Sequence, residues 1–289
     1  VDQKRELWNI AAIERMYLFD DKLILAAGVR FDNDDSFTQQ IINDNALDPD
    51  INTDKTTTTN YGVVYKFFKN ENNQASIFWN NAETFVPVFE TDERLATLGQ
   101  KFPNRTVETD EIGLKFNLFN SRVVATFAYF DTEEENILTG RRDEDGSITG
   151  VSDQSFNVPA GTQTTDGFEM DLAITPSEEW NFILSYSNID SLVSEDGLPL
   201  WGVPETTFAA LANYSFPEGP LHGFSITGMY NRWGESVLNR VSNFVVPSGD
   251  KIGLVLGYEW QNWTARLRID NLDDGTDLLP STWWTGVGA

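Results

Sequence analysis

The chain has 289 residues, is 40% hydrophobic and 13% aromatic, and carries a formal net charge of −25 from 45 acidic and 20 basic residues. Such a surface repels a phosphate backbone, which sets nucleic acid aside as a partner, and the aromatic content argues against disorder. The absence of cysteine excludes disulfide scaffolds, thiolate metal sites and cysteine nucleophiles.

No stretch approaches the roughly 18 unbroken apolar residues of a transmembrane helix. Alternation with a period of two dominates instead, the mark of strands with one apolar face. Twelve strands are expected, beginning near Glu6, Leu23, Thr56, Gln74, Val107, Arg122, Thr164, Trp180, Pro204, Leu221, Asp250 and Trp263. The pattern is clearest where Ile112, Leu114, Phe116 and Leu118 alternate with Glu111, Gly113, Lys115 and Asn117. It recurs where Ile252, Leu254, Leu256 and Tyr258 alternate with Gly253, Val255 and Gly257. A soluble sandwich alternates in the same way, so this pattern leaves the class open.

The connections discriminate more. Six are compact: residues 20–21, 70–73, 120–121, 176–179, 217–220 and 261–262, all built from turn-forming residues. The intervening ones, 32–55, 81–106, 131–163, 190–203 and 231–249, are read as long loops. Strict alternation of short and long connections puts all long loops at one end of the sheet, the habit of outer-membrane barrels. The loops also gather acid, with seven Asp in 32–55 and eight acidic residues in 131–163. Strands of ten or more residues exceed the usual globular length and suit a tilted membrane crossing. Aromatics beside the short turns (Tyr17, Phe19, Phe67, Phe68, Phe119, Trp180, Phe182, Trp260, Trp263) fit an interfacial girdle.

Five segments in order carry a resemblance. They are NYGVVYKFFKNENNQASIFWNNAETFVPVF (60–89), VETDEIGLKFNLFNSRVVATFAYFDTEEENIL (107–138), TDGFEMDLAITPSEEWNFILSYSNIDS (165–191), VPETTFAALANYSF (203–216) and LRIDNLDDGTDLL (267–279). Together they resemble the C-terminal part of the barrel of TonB-dependent outer-membrane receptors, the siderophore-receptor branch in particular. The resemblance implies an all-β antiparallel transmembrane barrel of which residues 1–289 supply about 12 of 22 strands. The family's plug domain, its TonB box and a closing aromatic strand are not recognised in the sequence. A self-contained twelve-strand barrel is the alternative.

The function so implied is uptake of a scarce ligand, a ferric siderophore above all, energised by a TonB-type protein that engages the N-terminal region. Lipopolysaccharide is the surrounding lipid, and no cofactor is implied. The candidate ligand contacts are Arg141, Arg142, Phe156, Trp201, Trp233, Trp283 and Trp284, since aromatics and Arg grip a chelate by stacking and charge. The acid around them favours a neutral or cationic chelate. Rivals are a channel for carbohydrate or cobalamin, a passive porin, a soluble β-propeller and an outer-membrane hydrolase using His222, the only histidine. That residue follows a short turn, and Glu133, Glu134 and Glu135 diverge from one another, so no catalytic pair is expected. Loose divalent binding at Asp32, Asp34 and Asp35, or at Asp143 and Asp145, is a further possibility of the acidic stretches.

Overall fold

The computed structural model describes residues 2–39, 41–42, 45–46, 50–87, 103–143, 154–193, 198–200, 202–238 and 244–275. Seventeen strands are present among them, and no helix. In chain order they are β1 (Asp2–Leu18), β2 (Leu23–Gln39), β3 (Ile41–Ile42), β4 (Asn45–Ala46), β5 (Asp50–Lys69), β6 (Gln74–Val86), β7 (Arg105–Leu118), β8 (Val123–Asp143), β9 (Gln154–Ile174), β10 (Trp180–Val193), β11 (Leu198–Pro199), β12 (Thr206–Ser215), β13 (Phe224–Trp233), β14 (Ser236–Val237), β15 (Val245–Val246), β16 (Gly249–Trp260) and β17 (Trp263–Ile269). A 13-stranded sheet runs in the order β1-β2-β5-β6-β7-β8-β9-β10-β12-β13-β16-β17, with β11 beside β10. Long strands are therefore neighbours in sequence order, as in an up-and-down meander.

All six short connections fall where the turn residues put them. At two of them three consecutive residues are left-handed: Phe19, Asp20 and Asp21 (φ 54°, 56°, 61°), then Phe119, Asn120 and Ser121 (φ 55°, 57°, 65°). Lys22 N–H donates to Phe19 O at 3.2 Å and Arg122 N–H to Phe119 O at 3.3 Å. Positive φ at both central residues gives the mirror-image turn whose twist matches the flanking strands.

The expected loops are shorter than the sequence pattern suggests. β2 runs on to Gln39, β8 to Asp143, and β9 starts at Gln154. Much of 32–55 and 131–163 is thus strand, with the small β3–β4 hairpin inside the first of these. Where a strand has water on both sides its apolar alternation vanishes, while the backbone ladder continues. Glu133, Glu134 and Glu135 accordingly lie within β8 and not in a loop.

The chain falls into two units, residues 1–64, 79–110 and 132–163 in one, and 65–78, 111–131 and 164–289 in the other. In the second unit neighbouring short turns are laced together. Phe119 N–H donates to Asn73 Oδ1 at 2.8 Å, Asn120 N–H to Asn72 O at 2.9 Å, and Thr175 N–H to Arg122 O at 2.7 Å.

The distribution of apolar side chains decides how the sheet is used. Among the described residues the buried apolar ones are few and mostly small: Ala75, Phe78, Ala125, Ala128 and Val246. Meanwhile Tyr61, Tyr65, Phe67, Ile77, Trp79, Ile112, Leu114, Tyr129, Ile226, Ile252 and Leu256 are exposed. Along each strand these residues share one face. Extended apolar exposure of this kind in a well-ordered sheet calls for an apolar solvent, not for a second layer of protein. A β-propeller or sandwich would bury the same side chains.

Candidate ligand-facing wall

The opposite face is polar and is closed by cross-strand bonds. Hydroxyls pair across neighbouring strands: Thr109 with Thr132 at 3.0 Å, Thr165 with Ser191 at 2.7 Å, and Ser187 with Thr207 at 2.6 Å. Asn213 Nδ2 donates to Thr227 Oγ1 at 2.8 Å. Alternation with a period of two requires that if one face meets lipid, this one lines the interior.

Glycines on the polar face make room for rings from the next strand. A Cβ on Gly113 would collide with Phe78, whose Cε1 and Cζ lie 2.6 Å away, and with the Phe127 carbonyl. One on Gly167 would sit 2.9 Å from Phe130 Cζ and 2.5 Å from Asn188 O. The Gly-x-Glu segment at Gly167 therefore carries a notch for Phe130, while Glu169 stays exposed.

In the first unit the polar face carries ion pairs. Arg5 Nη2 meets Asp34 Oδ2 at 2.6 Å, with Nε at 3.0 Å from Oδ1. The bidentate bond holds the arginine's pKa above its ordinary value. Arg30 donates to Asp32 at 2.6 Å, and Arg105 pairs with Glu134. Asp35 is taken by Asn33 at 2.9 Å and Thr53 at 2.6 Å. The three aspartates considered for a divalent ion are thus each engaged by protein donors. No group of three or more carboxylate or histidine side chains suited to a metal occurs among the described residues. Asp143 ends β8 and Asp145 lies outside the described residues.

Other carboxylates of this unit belong to the apolar-face register. Glu83 accepts from Thr59 Oγ1 at 2.7 Å, Glu108 from Asn81 at 2.8 Å, and Asp110 from Trp79 Nε1 at 3.1 Å. A concavity of about 290 Å³ lies among Glu83, Glu108, Glu133, Glu135 and Thr57. It therefore sits on the outward side, away from the polar wall.

The wall of the second unit differs. Ile183, Ser185, Leu211, Met229 and Asn231 line a shallow depression of about 220 Å³. At the end of β13, Trp233 lies on the same face as Asn231, and the Lys251 ammonium stands 5.7 Å from its ring centroid. Its indole N–H is buried without a hydrogen-bond partner. Lys115 stands similarly, 4.2 Å from the Phe78 centroid.

Among the seven sequence-predicted ligand contacts, Trp233 is the one whose side chain is described. Arg141 and Arg142 fall on the far end of β8 and Phe156 near the start of β9, with side chains outside the described residues. Trp201, Trp283 and Trp284 lie outside the described residues altogether. Lys251 is not among the sequence-predicted contacts, which are Arg and aromatic residues. The signal was there, since it shares the odd register of Gly253, Val255 and Gly257. His222 is exposed on its turn, its Nδ1 against the Pro217 carbonyl, with no hydroxyl partner among the described residues.

The profile of the family "TonB dependent receptor-like, beta-barrel" matches residues 2–272. The chain belongs to this family. Membership places it in the bacterial outer membrane, in a family of receptor barrels. The metal-pseudopaline receptor of Pseudomonas aeruginosa (strain UCBPP-PA14) is 26% identical over 266 residues, 89% of this chain and 35% of that protein. The ferrichrome outer membrane transporter/phage receptor of Escherichia coli (strain K12) is 25% identical over 263 residues, 88% of this chain and 32% of that protein. This chain thus spans about a third of the length of these relatives. In fold it is similar to the ferripyoverdine receptor of the outer membrane of Pseudomonas aeruginosa, with TM-score 0.76, 18% identity, and coverage of 95% of this chain and 35% of that one. The siderophore receptor of Acinetobacter baumannii gives TM-score 0.75, 18% identity, 94% and 40%. At that identity the likeness concerns the fold alone.

Proposed function

We propose that the receptor of which this barrel is part takes up a metal–chelate complex, a ferric siderophore, by TonB-dependent active transport. The observation that carries this reading is the sheet's division into a lipid-type apolar face and a hydrogen-bonded polar wall, in a chain of the receptor family. The relatives' ligands, a metal-pseudopaline complex and ferrichrome, support a chelated metal as cargo. Trp233 on the wall, together with the sequence-based candidates Arg141, Arg142, Phe156, Trp201, Trp283 and Trp284, supplies the candidate contacts. Coupling to a TonB-type energising protein, and lipopolysaccharide as the lipid around the apolar face, belong to the same proposal.

The reaction makes and breaks no covalent bond. Hydrophilic cargo is released to the periplasm when a conformational change supplied by the energising partner opens the interior. The test is uptake of radio-iron by cells expressing the full-length receptor in a host stripped of its own iron receptors, with and without the energising protein. Uptake from ferric chelates that vanishes with that protein is expected. Passive uptake independent of it, or uptake of sugars or cobalamin only, would replace the proposal.

A further inference from the structure

Cations of the polar wall differ in how their charge is held. Arg5, Arg30, Arg105 and Arg268 each sit against a carboxylate, so their positive charge is locally cancelled. Lys251 is held over an aromatic face instead. A ring quadrupole attracts an ammonium without neutralising it, so the full charge stays available to a third party. Lys251 forms no ion pair among the described residues; its neighbour in sequence, Asp250, pairs in register with Arg232 on the opposite face. Glu205 and Glu235, beyond the strand ends, do not pair with it either.

The indole makes its own sacrifice. A buried N–H without a partner is disfavoured, and such a group in a folded protein calls for an explanation. Here the same ring carries the Lys251 ammonium over its face, and seating that cation is the explanation we offer. In a chain of net charge −25, an uncancelled ammonium at the long-connection end of the polar wall is the local attractor for negative charge.

We propose that Lys251, seated on Trp233, binds an anionic oxygen of the metal chelate, so that the cargo is an anionic chelate. This rests on the uptake reading above and reverses the sequence-based preference for a neutral or cationic one. That preference counted the acid without its placement. Glu83, Glu108 and Glu133 belong to the outward register, and Asp32, Asp34 and Glu134 are matched by arginines.

The test is equilibrium binding of radio-iron chelates to outer membranes of cells expressing the full-length receptor. The probes are ferric citrate and a ferric tris-catecholate (anionic), ferrichrome (uncharged) and ferrioxamine B (cationic). Wild type is expected to prefer an anionic probe, and Lys251→Gln to weaken that binding by roughly tenfold to a hundredfold, the range for a hydrogen bond to a charged group. Trp233→Phe keeps a ring and most of the affinity, whereas Trp233→Ala follows Lys251→Gln. Lys115→Gln, a ring-seated lysine four residues before the 119–122 turn, leaves binding unchanged. Preference for ferrichrome or ferrioxamine B overturns the inference, as does an anionic affinity insensitive to Lys251→Gln or equally sensitive to Lys115→Gln. If wild type binds none of the four, the uptake reading itself fails, and separately from the charge assignment.

Discussion

Gly167→Ala tests whether the polar wall is built by rings seated in glycine notches. The added methyl would lie 2.9 Å from Phe130 Cζ and 2.5 Å from Asn188 O, against 3.4 Å for ordinary contact. The ring must retreat by about half an ångström, and the β10 backbone cannot swing aside as a side-chain end can. Overpacking of this kind destabilises by about 1–3 kcal/mol. Alanine also stiffens the unfolded chain, worth about 0.4–1 kcal/mol the other way. Gly228 supplies the control, since nothing lies within 4 Å of its Cβ position and neither glycine has a left-handed φ. Urea unfolding of the full-length receptor in detergent micelles, followed by tryptophan fluorescence, should show Gly167→Ala less stable by roughly 1–2 kcal/mol. Gly228→Ala should be neutral or more stable by up to about 1 kcal/mol. In a Phe130→Ala background the Gly167→Ala penalty should shrink without vanishing, because Asn188 O remains. Equal effects at the two glycines, or no coupling to Phe130, would refute the notch.

Three further outcomes follow from local geometry. Asp34→Asn should lower stability by about 1–3 kcal/mol in the same assay, less than for a fully buried pair because the Arg5 side chain is 41% exposed; an Arg5→Met background should remove most of that loss. Ser121→Gly relieves a left-handed serine at φ 65° and should raise the midpoint, by about 0.5–1 kcal/mol; a fall would mean the turn depends on the serine side chain. The Ser177 hydroxyl, and then the backbone N–H of Glu179, hold the Glu179 carboxyl below its ordinary 4.5. A depressed folded pKa stabilises above the unfolded value and is lost as pH falls through the folded one. Wild type should therefore exceed Ser177→Ala in stability at neutral pH, with the difference closing below pH 4.5; a constant difference would place the serine's role elsewhere.

The sequence was most informative where local chemistry decides the outcome. The turns at 20–21, 120–121 and 261–262 are dictated by residues within four positions of one another. The lipid-type face is legible because membrane-facing alternation is strict, as from Ile112 to Leu118. Legibility fails where pairing partners are far apart. Phe78 fills the notch at Gly113, 35 positions on, and Arg105 meets Glu134 across 29 positions. The first depends on the register of β6 and β7, which a long connection joins, and the second lies at the far end of the β7–β8 hairpin from its short turn. The far ends of β2, β8 and β9 were read as loops for a related reason, since a wetted strand keeps its ladder after its hydrophobic code has gone. At the candidate site Trp233 was legible as an aromatic at a strand end. Lys251 is legible there only as a polar-face residue, because the β13–β16 pairing that brings it beside Trp233 is a matter of register across a long connection.

The central claim is that one face of each long strand meets lipid and the other faces a wet interior. This chain has no cysteine, so on a cysteine-free background of the full-length receptor single cysteines can be placed at Ile112, Leu114 and Phe116, and at Glu111, Lys115 and Asn117. Spin labels at these six sites in reconstituted membranes report collisions with oxygen, which concentrates in lipid, and with a water-soluble nickel chelate. The account predicts strict alternation: oxygen accessibility at 112, 114 and 116, and its loss at 111, 115 and 117, where polar surroundings or packing take over. Nickel accessibility on both faces, or accessibility without a period of two, would contradict it.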